Sequence, residues 1–171
     1  MNKFYLGCDV SKGYADFIII NEEKQIELDS FQLDDTTLGH QQLCNILDGF
    51  SFDHSVPIIY SAVESTGGYE NNWFNTLSNL SQRDGFPQSK INIYVARVNP
   101  LGTNHNSRAS MSRIITDKTA AKNIAEYLIN HKKKIIFNKD DKFSSLRKQW
   151  TFVRMLTKQR TQLYNQLESI L

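Results

Sequence analysis

A chain of 171 residues with 40% hydrophobic content can bury one full core and carries no disorder-like bias, so it reads as one domain with at most an appendage. No run approaches the roughly 20 apolar residues of a membrane helix, and Lys3 alone before a run broken at Asp9 makes no secretory leader; this points to a soluble, intracellular protein. Two cysteines without a CxxC and four histidines without ligand spacing argue against a disulfide framework and a structural zinc.

In chain order, Phe4–Asp9, Tyr14–Ile20 and Gln25–Phe31 are short runs rich in Ile, Phe and Tyr, separated by SKG and NEEK, and predict an antiparallel three-stranded meander. Thr36 or Thr37 can cap a helix reaching about Phe50, with Leu38, Leu43, Ile46 and Leu47 on one face. PIIYSAV, Pro57–Val63, reads as a buried strand that ends at Glu64. STGG then makes a turn, and Tyr69 to about Leu80 places Trp73, Phe74, Leu77 and Leu80 at helical spacing. INIYV, Ile91–Val95, is a fifth strand. Asn99–Ile114 reads as a long polar loop, functional or flexible, and Ile115–Ile129 as a third helix. The order is that of a mixed α/β layer without internal repeats.

From about Lys139 the texture changes. Asp140–Leu171 contains neither Pro nor Gly and spaces Leu146, Trp150, Val153, Leu156, Leu163, Leu167 and Ile170 as one helical stripe, which predicts a long amphipathic helix of coiled-coil type. No punctuation follows Leu171, so the sequence looks cut from something longer. Charge is segregated along the chain. Residues 1–60 hold three Lys against ten Asp and Glu, a net of −7, whereas residues 131–171 hold ten basic and three acidic residues, a net of +7. A basic end of this kind suits either a polyanionic partner or a solvated helix surface.

Three acids stand at matching ends of separate elements: Asp9 on the first strand, Glu64 on the fourth, and Asp117 in the first turn of the third helix. If the first and fourth strands are neighbours, these can converge. Gathered carboxylates repel unless cations neutralise them, and hard oxygen ligands suit Mg2+ or Mn2+. Two such ions about 3.5 to 4 Å apart would serve phosphodiester chemistry. Each acid also has an ordinary structural reading: a turn residue before SKG, an anion near the STGG turn, and a first-turn acid favoured by the helix dipole.

The stretches GCDVSKGYAD, VESTGGYE, RVNP and TDKTAAKNIAEYL resemble, in order and spacing, the N-terminal RuvC-like domain of the DEDD (Piv-like) transposases, insertion-sequence recombinases whose better-studied members are guided by a bridge RNA. The resemblance runs from about residue 4 to residue 130, and the basic helix that follows resembles the coiled-coil connector of the family. It implies a ribonuclease H-like domain over 1–138 with a five-stranded mixed sheet, and a connector over 139–171. It implies further that Asp9, Glu64 and Asp117 are catalytic metal ligands for Mg2+ or Mn2+, two ions in the intact site. The fourth acid of the pattern should stand at position 120, where this sequence has Ala120, through natural divergence or a disabling substitution. Impaired or absent DNA chemistry is therefore expected, the more so because the serine-bearing domain that follows the connector in family members is not in the sequence.

The partners that the resemblance implies are donor and target DNA, a guide RNA, and a second copy of the chain paired through the last helix, all in a bacterial cytoplasm at the nucleoid. Candidate phosphate contacts are Lys118, Lys122, Lys132, Lys133, Lys134, Arg147, Lys148, Arg154, Lys158 and Arg160, with Arg97, Arg108 and Arg113 as weaker candidates. Tyr69, Trp73 and Trp150 could stack on bases, but their helical spacing with Leu and Phe assigns them to core packing. Two other classes compete. A non-catalytic RNA-binding or dimerisation module would accommodate Ala120, and an actin-like kinase half would explain GCDVSKG but needs a second glycine-rich phosphate loop, which the sequence does not offer.

Overall fold

The first three apolar runs fold as β1 (Lys3–Ser11), β2 (Tyr14–Asn21) and β3 (Ile26–Asp34). The computed structural model describes residues 2–54, 57–65, 67–81, 92–109, 117–138 and 144–169. Lys12 and Gly13 join β1 to β2, with Ser11 opposite Tyr14 and Gly13 at φ 91°, a two-residue connection in which only glycine adopts that angle without strain. The second turn is built by Asn21, whose Oδ1 accepts the backbone N–H groups of Glu23 at 3.0 Å and Gln25 at 2.9 Å.

Thr36 caps α1 (Thr37–Asp53), its Oγ1 accepting the Gly39 N–H at 3.2 Å. Then follow β4 (Ile58–Glu64), α2 (Glu70–Ser81) and β5 (Asn92–Val98). The five strands lie in the order β3-β2-β1-β4-β5, with β1 parallel to β4 and β4 parallel to β5. The sheet is thus mixed, and its first and fourth strands are neighbours.

One expectation is overturned. Where the polar composition of 99–114 predicted an irregular loop, Pro100–Ala109 forms a helix, α3. Asn99 starts it: its Oδ1 accepts the Leu101 N–H at 2.9 Å and its carbonyl accepts the Gly102 N–H at 2.9 Å. Pro100 occupies the first helical position, where a missing N–H costs nothing. Residues 110–116 lie outside the described residues, and α4 (Asp117–His131) follows.

Strand alternation sorts the core into two layers. Even positions of β1 and odd positions of β2, β4 and β5 face α1 and α2, where Leu6, Cys8, Phe17, Ile19, Ile59, Val63 and Val95 pack on Leu43, Leu47, Trp73 and Leu77. Trp73 meets Phe17 edge-on at 5.1 Å between ring centroids. A polar latch joins the two helices above it: His40 Nε2 lies 2.8 Å from Asp35 Oδ1, its Nδ1 3.0 Å from Thr76 Oγ1, and Asn72 donates to Asp35. The opposite face belongs to α4, where Tyr5, Ile18, Ile20, Ala62 and Val98 pack on Ala121, Ile124, Ala125 and Leu128.

The chain divides into two compact units, Met1–Asn138 and Lys139–Leu171. The second is the helix α5 (Ser144–Glu168). It covers 144–168 of the expected 140–171; residues 139–143 and 170–171, Ile170 among them, lie outside the described residues. Its apolar stripe is exposed, with Leu146, Trp150, Val153, Leu156, Leu163 and Leu167 all open to solvent. Of the three aromatics expected in the core, Trp73 is buried, whereas Tyr69 and Trp150 are exposed. Among the described residues no helix is long and apolar enough to cross a membrane.

Candidate active site at the ends of the parallel strands

The register of β1 and β4 sets Cys8 opposite Val63, so Asp9 and Glu64, one residue further along parallel strands, stand level. They also share a face. Asp9 has the parity of Tyr5, and Glu64 that of Ala62, both of which pack under α4. Because side chains alternate along a strand, the two carboxylates emerge together on the α4 face at the carboxyl ends of adjacent parallel strands, where α/β sheets place their chemistry.

Gly7 brings α4 down onto this end of the sheet. A methyl group at Gly7 would run into the carbonyl oxygen of Ala121 and come within 2.9 Å of the Ala125 nitrogen, so only glycine permits the approach. Asp117, the first residue of α4, lies one turn before Ala121, and Ala120 immediately precedes Ala121. The side chains of Asp117 and Lys118 lie outside the described residues.

Glu64 is held from α3. Thr103, buried with 2% of its surface exposed, donates its hydroxyl to Glu64 Oε1. Thr103 is itself anchored to α4, since Asn123 Nδ2 donates to its carbonyl at 2.7 Å; Asn106 in turn donates to Asn123 at 2.8 Å, and Asn130 to Asn106 at 3.0 Å. Sequence reasoning missed Thr103 and Asn106 because they sit in the segment read as a loop, and Asn123 and Asn130 because nothing in the α4 sequence names their partners on α3.

It missed a further acid as well. Asp16 on β2 pairs directly with Asp9 across the hairpin, on the same face, and is 8% exposed. Both its oxygens accept from Gln32 Nε2 at 3.3 Å, Gln32 being its own partner on β3. Gln32, Asp16, Asp9 and Glu64 therefore form one polar row across four strands. The field is felt through the sheet. The buried Cys8 thiol is pushed well above its ordinary pKa, first by burial and then by the Asp9 and Asp16 charges. Cys8 and Cys44 are not joined in a disulfide.

Asp9 and Glu64 offer oxygen donors only, with one Glu64 oxygen already fixed, and so fit a hard divalent cation in type. Among the described residues no three His, Cys, Asp or Glu side chains are gathered into a complete ion site. Asp16 thus belongs to the charge of the row rather than to a ready set of three ligands.

The basic candidates scatter. Lys122 sits 3.9 Å from Glu126, one turn on. Lys132 lies at the other end of the α4 face, its Nζ 3.6 Å above the Tyr60 ring in a row where Tyr60 stacks on Tyr5 and Tyr94. Lys133 and Lys134 are exposed after α4, and Arg154, Lys158 and Arg160 are exposed on α5. Arg97 has the parity of Val95 and faces α2: it donates to Asn71 Oδ1 at 3.0 Å and lies 3.9 Å above the Phe74 ring. Arg113 and the side chains of Arg108, Arg147 and Lys148 lie outside the described residues. After Glu64, Ser65 donates its N–H to the Val98 carbonyl at 3.0 Å, and Gly67 and Gly68 at φ 77° and 115° turn the chain into α2, where Glu70 accepts the Gly68 N–H at 2.8 Å. Thr66 lies outside the described residues.

This chain is similar to one protein family and, in fold, to two solved structures. Residues 6–171 match the family of DEDD transposases of the IS110 type, described as transposase. The fold resembles RuvC of Thermus thermophilus in complex with a Holliday junction substrate, with a TM-score of 0.54 at 9% identity over 79% of this chain and 99% of that one. A second Thermus thermophilus RuvC structure gives a TM-score of 0.53 at 10% identity over 78% and 99% of the two chains. No curated protein sequence matches this chain.

Proposed function

Because this chain belongs to the IS110-type DEDD transposase family, we propose that Met1–Asn138 is its RuvC-like catalytic domain, acting on DNA phosphodiesters with Asp9, Glu64 and Asp117 as ligands for Mg2+ or Mn2+. The observation that carries this reading is the level pairing of Asp9 and Glu64 on adjacent parallel strands beneath α4. Bound divalent ions supply charge neutralisation at the scissile phosphate and a more acidic attacking hydroxyl. The protein's part is to hold oxygen donors at the strand ends and to keep α4 close through Gly7.

Ala120 leaves the site one acid short of the family pattern, so this chain binds its second ion weakly and is slow or inactive in DNA chemistry. Lys118, Lys122, Lys133 and Lys134 contact the phosphates of DNA or of a guide RNA, and Arg147, Lys148, Arg154, Lys158 and Arg160 do the same along residues 139–171, the connector. The exposed stripe of α5 pairs with the same helix of a second copy as a coiled coil. A non-catalytic RNA-binding module is the competing reading, and Ala120 is what favours it.

Titration with Mn2+, followed by loss of the free-ion electron paramagnetic resonance signal, separates the two. The catalytic reading expects binding that Asp9→Asn or Glu64→Gln abolishes and Ala120→Asp tightens about tenfold, or 1.4 kcal/mol. Equal Mn2+ affinity in all four proteins would remove it. Binding to duplex DNA and to structured RNA should fall steeply as salt rises.

A further inference from the structure

Thr103 stands where a single hydroxyl proton has two acceptors. Its Oγ1 reaches Glu64 Oε1, and it also lies 3.0 Å from the Pro100 carbonyl one turn back in α3. Only one can take the proton at a time, and a charge-assisted bond to a carboxylate outweighs a neutral one to a carbonyl. The hydroxyl therefore holds Glu64, while the Pro100 carbonyl offers the proton an alternative, so Glu64 can shift without stranding a buried donor.

Thr103 is held firmly enough to act as a fixed point. It is buried, its carbonyl is tied to Asn123 on α4 at 2.7 Å, and its helix begins immediately after β5 at the Asn99 cap. Val98, the last residue of β5, is opposite Glu64 in the sheet, so the first turn of α3 rises beside the Glu64 carboxylate. The bond engages one oxygen and leaves Oε2 for a cation. Like-charged Asp9 would otherwise drive Glu64 into other rotamers before an ion arrives.

Resting on the reading of Asp9 and Glu64 as ion ligands, we infer that Thr103 is a positioning residue: its hydroxyl fixes the Glu64 carboxylate for the cation, and the Asn123 contact transmits the position of α4 to Glu64 through α3. The test is Mn2+ affinity of the full chain by paramagnetic resonance or calorimetry, without reference to DNA chemistry. Thr103→Val, which keeps the shape and removes the hydroxyl, should bind Mn2+ about 10- to 100-fold more weakly, the usual loss when a partner that orients a metal ligand is removed. Thr103→Ser should restore affinity to within about threefold of the unaltered chain on the same scale.

Wild-type affinity in a folded Thr103→Val protein, with Glu64→Gln still abolishing binding, would overturn the role of Thr103 and leave the ion site standing. A Thr103→Ser protein as weak as Thr103→Val would show that packing rather than the hydroxyl matters, and would overturn it too. Indifference of Mn2+ binding to Glu64→Gln would sink the ion site and the inference together. If melting by circular dichroism shows Thr103→Val unfolded, Asn123→Ala decides: severalfold weaker binding supports the inference, and unchanged binding contradicts it.

Discussion

The two faces of the sheet are built from the same strands and do different work. Under α1 and α2 the inward positions are apolar apart from Ser61 and Arg97, and Leu6, Cys8, Phe17, Val63 and Val95 lie in one core with Trp73. Under α4 the apolar positions of β1, β2 and β4 give way at this end to Asp9, Asp16 and Glu64, with Gln32 beside them on β3, while Val98 still packs at the end of β5. Like charges opposite one another across strands are destabilising. The α4 face thus gives up stability at the acid end of the strands, a cost that the cation proposed between Asp9 and Glu64 would offset.

Breaking the apolar face should be expensive and specific to folding. Trp73→Ala removes a fully buried indole and should cost about 3–5 kcal/mol, seen as a lower denaturation midpoint, with Mn2+ affinity unchanged in the molecules that remain folded. Trp73→Phe should cost far less. The indole N–H has no hydrogen-bond partner among the described residues, so only volume is lost.

Gly7→Ala tests the other face from the packing side. The new methyl meets the Ala121 carbonyl, and the overpacking should cost about 1–3 kcal/mol. Unlike Trp73→Ala it should also weaken Mn2+ binding, because α4 must lift away from the acid row. A Gly7→Ala protein with full ion affinity would show that the placement of α4 does not matter to the site.

Asp16→Asn is the smallest and most pointed change. Relieving the charge opposite Asp9 should stabilise the ion-free protein by about 0.2–1 kcal/mol at low salt, whereas the opposite sign would mean that the Gln32 contact outweighs the repulsion.

Much of this contrast was legible in the sequence. The five apolar runs gave the strands because period and turn residues agreed, and ESTGGYE predicted the turn into α2 that Gly67 and Gly68 now make with positive φ. Asp9 and Glu64 stood out because an acid at the end of an apolar strand is conspicuous. Asp16 did not, since a polar residue in YADFIII is unremarkable until the hairpin register sets it opposite Asp9. Thr103 was hidden for another reason. Asn and Ser content made NPLGTNHNSRAS read as a loop, although Asn99 followed by Pro100 is a helix start, and a hydrogen bond to a residue 39 positions away has no local signature. The exposure of Trp150 is the converse case: helical spacing reports a stripe, and says nothing of what covers it.

The central claim is that Asp9 and Glu64 share a cation. Crystals grown with Mn2+ and measured at the manganese absorption edge test it most directly. The account predicts an anomalous peak bound by carboxylate oxygens of both residues beneath the first turn of α4; a peak elsewhere on the molecule, with Asp9 and Glu64 bare, would contradict it.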